Sequence, residues 1–188
     1  LTNIALAMRI EPRIKEKIKK IVIMGGGHAK TNRTSAAEFN IWKDPEAAQI
    51  VLTSGCDVLL VPLDATHEGD VTLEESKEIR DFGTPVAVAV SDLLDQRIKA
   101  YDTFQPQKIA GSTPPHDAIV VAAVIDPEVL QDVRWCRVDV DFSGGICDGR
   151  TQVDCRVYPD HPKNIHMAFG CDRERFVKLL KDTIKLAK

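Results

Sequence analysis

The sequence predicts an α/β fold: a mostly parallel, Rossmann-like open sheet flanked by helices, with a small antiparallel extension near the C-terminus. Three observations carry this. Ile21–Met24 is continuously apolar and Asp57–Leu63 is apolar after its first residue, the pattern of strands buried on both faces. Helical patterns stand between and after them, so strand and helix alternate. Late in the chain the period changes to two, in Arg137–Phe142 and Thr151–Val157, as in antiparallel strands.

The elements follow in order. Ile4–Ile10 is apolar at helical spacing and ends near Pro12. Ile21–Met24 reads as a buried strand running into Gly25-Gly26-Gly27, where the backbone must come close to something. Asp44-Pro45-Glu46 starts a helix, with Asp44 as cap, Pro45 in the first turn and Gly55 as the stop. Asp57–Leu63 is the second buried strand and leads into the polar turn Asp64–His67. Thr72–Glu75 has the form of a capping box, and its helix ends before Gly83. A longer helix runs from Val86 to about Tyr101. Gln105–Pro115 is rich in turn formers, and Ala118–Ile125 is long and alanine-containing enough to predict a buried helix. Asn164–Phe169 is a further strand. Asp172 caps a last helix, Arg173–Leu186, whose apolar stripe is Phe176, Leu179, Leu180 and Ile184. The two parallel runs are expected to be adjacent central strands, and residues 1–188 to form a single domain.

Composition narrows the function. The chain has 188 residues, 44% hydrophobic and 28% charged, with a net charge of -3. Such a balance argues against a nucleic-acid partner, which usually leaves a basic face. The basic run Arg13, Lys15, Lys17, Lys19, Lys20 reads as the solvated end of a helix. No apolar run is long enough to span a bilayer, and no signal-peptide pattern opens the chain. Five irregularly spaced cysteines do not form a disulfide framework, so a cytoplasmic location is expected. The first residue is Leu1 rather than Met, which predicts that the natural start lies elsewhere.

Four clusters hold residues capable of chemistry. Glu38 and Asn40 share a side if their segment is extended and, with Asn32 nearby, could hold the hydroxyls of a sugar; the plain alternative is a solvated loop beside a helix cap. Met24-Gly25-Gly26-Gly27 suits close ligand approach, or only a tight strand-to-loop turn. His116-Asp117 offers a titratable group near neutrality and a carboxylate able to bind a metal, or simply a helix N-cap by Asp117. Cys147, Cys155, His161 and His166 lack the close pairing usual in zinc sites.

Taken together, LTNIALAMRIEP (1–12), IVIMGGG (21–27), AAEFNIWKDPEAAQIV (36–51), VPLDATH (61–67), HDAIVVAAVIDPEVL (116–130) and GRTQVD (149–154) resemble the inosine-uridine preferring nucleoside hydrolase family in order and spacing. The resemblance implies an enzyme that cleaves the N-glycosidic bond of ribonucleosides with a calcium-bound water. It implies that Asn32, Glu38 and Asn40 bind the ribose hydroxyls and that Met24 lines the sugar pocket. It makes Asp117 a calcium ligand that also touches the sugar. It makes His116 the acid for the leaving base and puts Tyr101 near that base. Thr31 stands where the family often has glycine, which leaves the loop around Asn32 less defined. Family members are longer and open with an aspartate-rich loop, D-x-D-x-G-x-D-D, that supplies most calcium ligands and the residue that activates water. That motif does not occur here. A segment begun at Leu1 is therefore expected neither to cleave nucleosides nor to bind calcium tightly. The competing readings are a degenerate relative and a riboside-binding module without catalysis. The family is usually a homo-oligomer, dimer or tetramer, and neither base preference nor assembly is fixed by this sequence.

Overall fold

The structure is a computed structural model that describes residues 1–157 and 160–187. In chain order the elements are α1 (Thr2–Ile10), a 3-10 turn (Pro12–Glu16), β1 (Ile21–Met24), α2 (Phe39–Lys43), α3 (Pro45–Leu52), β2 (Val58–Val61), α4 (Leu63–Thr66), β3 (Val71–Thr72), α5 (Leu73–Arg80), α6 (Pro85–Phe104), β4 (Ser112–Thr113), α7 (His116–Ile125), a second 3-10 turn (Pro127–Val129), β5 (Leu130–Val140), β6 (Thr151–Asp154), β7 (Ile165–Cys171) and α8 (Arg173–Leu186). They divide into two compact units, Leu1–Asp64 with Asp132–Phe169, and Ala65–Gln131 with Gly170–Lys188.

The first unit is built on the sheet, ordered β1-β2-β7-β5-β6 among the described residues. β1 pairs with β2, and β2 with β7, in parallel; β5 and β6 pair antiparallel, Arg137 facing Asp154 and Val140 facing Thr151. This is the expected mixed α/β architecture with its antiparallel extension. The core joins Ile23, Val58, Leu60, Val138, Ile165 and Met167 of the strands to Ile41, Ala48, Val51 and Leu52 of the helices. The Asp44 carboxylate accepts from the Ala47 amide, 3.0 Å, so the Asp-Pro helix start is as predicted. Asn164 fastens the antiparallel part: its Oδ1 accepts from the Val138 amide at 2.7 Å and its Nδ2 donates to the Val138 carbonyl at 2.8 Å.

The second unit is mainly helical. Its short β3–β4 ribbon pairs Val71 with Thr113. The capping box is complete, Glu75 N–H donating to the Thr72 hydroxyl and Thr72 N–H to the Glu75 carboxylate. Ser76, Ser91 and Asp95 hydrogen-bond between α5 and α6. Gly69 lies so close to Ile119 that a Cβ there would approach its Cδ1 to 2.6 Å.

Four expectations need correction. β1 and β2 are adjacent, but β1 ends the described sheet order and is not central. Glu38–Asn40 is not extended: Glu38 is the N-cap of α2, and Asn40 lies inside that helix. α7 is not a buried helix. Ile119, Ala122 and Ala123 are buried, but Val121, Val124 and Ile125 are 59%, 63% and 63% exposed. Residues apolar on every side do not reveal which face is covered. The basic run is solvated, yet it begins on the 3-10 turn after Pro12 rather than at the end of an α-helix.

Candidate functional site

The carboxyl end of a parallel strand is where loops in open α/β sheets carry function. β1 ends there in Gly25-Gly26-Gly27, and the loop is tied down from three sides. Gly26 has φ +71°, a left-handed conformation that favours glycine. A Cβ on Gly27 would sit 1.9 Å from the Lys30 carbonyl oxygen, so no side chain fits. The Thr151 hydroxyl accepts from the Gly27 amide at 2.9 Å and donates to the Gly27 carbonyl at 2.5 Å. The Asp64 carboxylate accepts from the amides of His28 at 2.6 Å and Ala29 at 2.9 Å.

This loop positions the predicted sugar residues. Glu38 is 3% exposed, and its Oε2 accepts from the Gly26 amide at 2.9 Å and the Ile41 amide at 3.2 Å. Those amides hold a buried carboxylate that would otherwise be costly. Its other oxygen has no partner among the described residues. Asn32 is exposed; its Oδ1 accepts from the Phe39 amide at 2.9 Å, which turns the amide nitrogen outward. Exposed Asn40 places Nδ2 3.4 Å from both the Met24 carbonyl oxygen and the Met24 sulfur. Glu38 and Asn40 are therefore tied to the end of β1 and its glycine loop, through Gly26 and Met24, while Asn32 is tied to the start of α2 through Phe39. The group offers an anionic acceptor, an amide donor and a second amide, the set that a vicinal diol needs.

A second group lies in the other unit. His116, the first residue of α7, has Nδ1 2.8 Å from the Thr66 hydroxyl and Nε2 2.6 Å from the Tyr101 hydroxyl. The His67 ring is tilted 5.5 Å from it, centroid to centroid, and Arg97 lies over the Tyr101 ring at 4.9 Å. Burial above all, then the charges of His67 and Arg97, depress the His116 pKa to about 3. The near-neutral titration expected from the residue type is thus corrected, because its surroundings penalise the imidazolium. Burial also raises the Tyr101 phenol above its ordinary range, against the opposing pull of Arg97. At neutral pH the pair is an uncharged phenol and an uncharged imidazole.

Asp117 is exposed and not a cap: the N-cap of α7 is Pro115, with no side-chain cap bond. Asp117 makes no hydrogen bond or ion pair among the described residues, so its oxygens are open to a cation. Calcium takes about six to eight oxygens. Among the described residues no three His, Cys, Asp or Glu side chains gather as a metal site. The side chains of the described residues therefore do not by themselves assemble a calcium site. Cys147, Cys155, His161 and His166 likewise make no metal cluster among the described residues; the His166 ring lies tilted against Trp135, with ring centroids 4.5 Å apart. Thr66, His67, Arg97, Asp64 and Thr151 were missed as contributors to these groups. Thr66 and His67 lie in VPLDATH and Thr151 in GRTQVD, but each reveals its part only through a partner distant in sequence.

No helix among the described residues is long and apolar enough to cross a membrane. The family model described as "Inosine-uridine preferring nucleoside hydrolase" matches residues 1–178. The chain is 39% identical over 185 residues to a pyrimidine-specific ribonucleoside hydrolase, RihA, of Shigella boydii, covering 98% of this chain and 58% of that protein. It is 40% identical over 187 residues to an inosine-uridine preferring nucleoside hydrolase of Leishmania major, covering 98% of this chain and 57% of that protein. Its fold matches a purine-preferring ribonucleoside hydrolase from Gardnerella vaginalis with a TM-score of 0.87 and 36% identity, over 98% of this chain and 57% of that one. The chain thus spans somewhat more than half the length of these relatives. Matched over nearly its whole sequence and fold, it belongs to the inosine-uridine preferring nucleoside hydrolase family.

Proposed function

We propose that the whole protein hydrolyses the N-glycosidic bond of ribonucleosides, giving ribose and the free base. The observation that carries this reading is Glu38, a buried carboxylate with one oxygen fixed by two backbone amides, in the same short segment as Asn40 and the Asn32 that binds the Phe39 amide. Breaking a ribosyl C–N bond builds positive charge on the sugar, and hydrogen bonds to its hydroxyls strengthen as that charge grows. An oxygen anion and two amides held in place in advance stabilise this state without reorganising. Met24 forms the apolar floor of the sugar contact.

The His116 group serves the leaving base. With His116 uncharged at neutral pH, the proton is held between Tyr101 Oη and His116 Nε2, and Thr66 fixes the ring through Nδ1. The base accepts hydrogen bonding from this pair as its ring nitrogen becomes basic. Asp117 contributes one oxygen to a divalent cation, calcium by family resemblance, which would hold and acidify a water when bound. A cytoplasmic homo-oligomer, dimer or tetramer, completes the reading.

The test is ribose release by the whole protein and its Glu38→Gln variant. The substitution keeps shape but removes the anion, and kcat/KM for a ribonucleoside should fall by about 10²-fold or more, the scale of a lost charge-stabilising contact. Unchanged kcat/KM would contradict the role of Glu38. Binding of a riboside without release of ribose would favour a binding module instead.

A further inference from the structure

We propose that Cys136 and Cys155 form a reversible dithiol–disulfide pair that fastens strand β6 to β5. The two sulfurs lie 3.0 Å apart although the residues are 19 apart in sequence. Strand register explains the meeting. Arg137 faces Asp154 across the antiparallel pair, so one further step puts Cys136 opposite Cys155. Directly opposed residues in antiparallel strands have Cα atoms about 4.5–5.5 Å apart. A disulfide needs about 4.4–6.8 Å, so the backbone need not move.

The two thiols differ in their surroundings. Cys136 is fully buried in the core of the sheet, where burial first, and then the adjoining Cys155, push its thiol up to about 12. Cys155 is half-buried and lines a groove of about 1100 Å³ with Arg134, Arg150, Cys147 and Phe169. Arg134 lines the same groove, so a cation stands on the side from which the Cys155 sulfur is reached. Cys155 is therefore the attacking thiol and Cys136 the resolving one. Cys56 and Cys171 are buried, and Cys147 is half-buried.

The chemistry is thiol–disulfide exchange with a small soluble disulfide as oxidant. Cys155 loses its proton to solvent, and its sulfur attacks one sulfur of the reagent. A mixed disulfide forms and one small thiolate leaves. Cys136 then loses its proton and attacks Cys155 Sγ, releasing the second thiolate. The two protein thiols are oxidised and one soluble disulfide is reduced to two thiols, which take up the two protons.

The position of the bond gives it a consequence. β6 is four residues long, and its first residue, Thr151, grips Gly27 through both backbone groups. The disulfide would lock the other end of the same strand, and so brace the loop that carries Glu38's anchor. A dithiol of this kind stays reduced in a reducing compartment and closes on oxidation.

The experiment incubates the full chain with oxidised glutathione and maps its cysteines by mass spectrometry without reduction. We expect a product lighter by two hydrogens and a linked peptide containing Cys136 and Cys155. Cys136→Ser should accumulate glutathione on Cys155, because the resolving thiol is missing. Cys155→Ser should leave Cys136 unmodified, since its sulfur is buried. Because the linked peptide is read from the unaltered chain, the outcome does not depend on either variant folding. Absence of the Cys136–Cys155 peptide, or glutathione on Cys147 with Cys155 untouched, would overturn the assignment.

Discussion

His116 has both ring nitrogens occupied, by Thr66 and Tyr101, and its pKa is pushed down to about 3. That depression has a sign for stability. The unfolded histidine binds a proton near pH 6.5, while the folded one does not until about pH 3. The unfolded state therefore carries more protons between these values, and stability falls as pH drops through that window. The contribution is fully present above about pH 6.5, and its slope below that is at most about 1.4 kcal/mol per pH unit. The melting temperature should fall on acidification from pH 7 to pH 5, and His116→Gln should flatten part of that fall; identical slopes in the two proteins would contradict the burial of a neutral ring. Catalysis gives a second check. His116→Ala should cost about 10²–10⁴-fold on natural nucleosides, the usual range for proton transfer, and far less on a p-nitrophenyl riboside, whose leaving group needs no proton. Asp117→Ala should instead lower kcat by several orders of magnitude on both substrates, because its proposed contacts are to cation and sugar. Equal losses for His116→Ala on the two substrates would leave it a packing residue. None of this ionisation is legible from His116-Asp117 alone. It arises from burial first, and then from the charges of His67 and Arg97, which only folding brings together.

At the scale of elements, β6 and the glycine loop act as one piece. Thr151→Val keeps the shape of the side chain but removes the partner of both the Gly27 amide and carbonyl. A buried polar group left unsatisfied costs about 1–3 kcal/mol, so the variant should melt lower and bind ribosides with a raised KM. Thr151→Ser retains the hydroxyl and should restore KM; a Ser variant as impaired as Val would remove the hydroxyl from the loop's support. The helices differ in how openly they announce themselves. Asp44-Pro45 and Thr72-x-x-Glu75 state their starts locally, because cap and capped amide lie within three residues. α2 does not, since its cap is Glu38, a residue outside the usual capping set, and the segment therefore reads as extended. α7 is the opposite failure. Its apolar residues give the right element and the wrong environment, since only Ile119, Ala122 and Ala123 of them are buried.

For the molecule as a whole, alternating strand and helix followed by period-two strands was enough to predict the mixed sheet, and the parallel β1–β2 pairing agrees in every residue of β1. Strand order was not legible, because β7 joins β2 from more than 100 positions away in the chain. Base preference is not legible either. The relatives include proteins named pyrimidine-specific, inosine-uridine preferring and purine-preferring, at 39%, 40% and 36% identity. The sugar contacts proposed for Glu38 do not depend on the base, so ribose release is the property to measure first. The whole protein should be incubated separately with uridine and inosine in phosphate-free buffer, with free base and reducing sugar quantified over time. The account predicts equimolar ribose and base from at least one of the two, with the rate falling about 10²-fold or more in Glu38→Gln. Recovery of both nucleosides intact, or cleavage that appears only when phosphate is added, would contradict it.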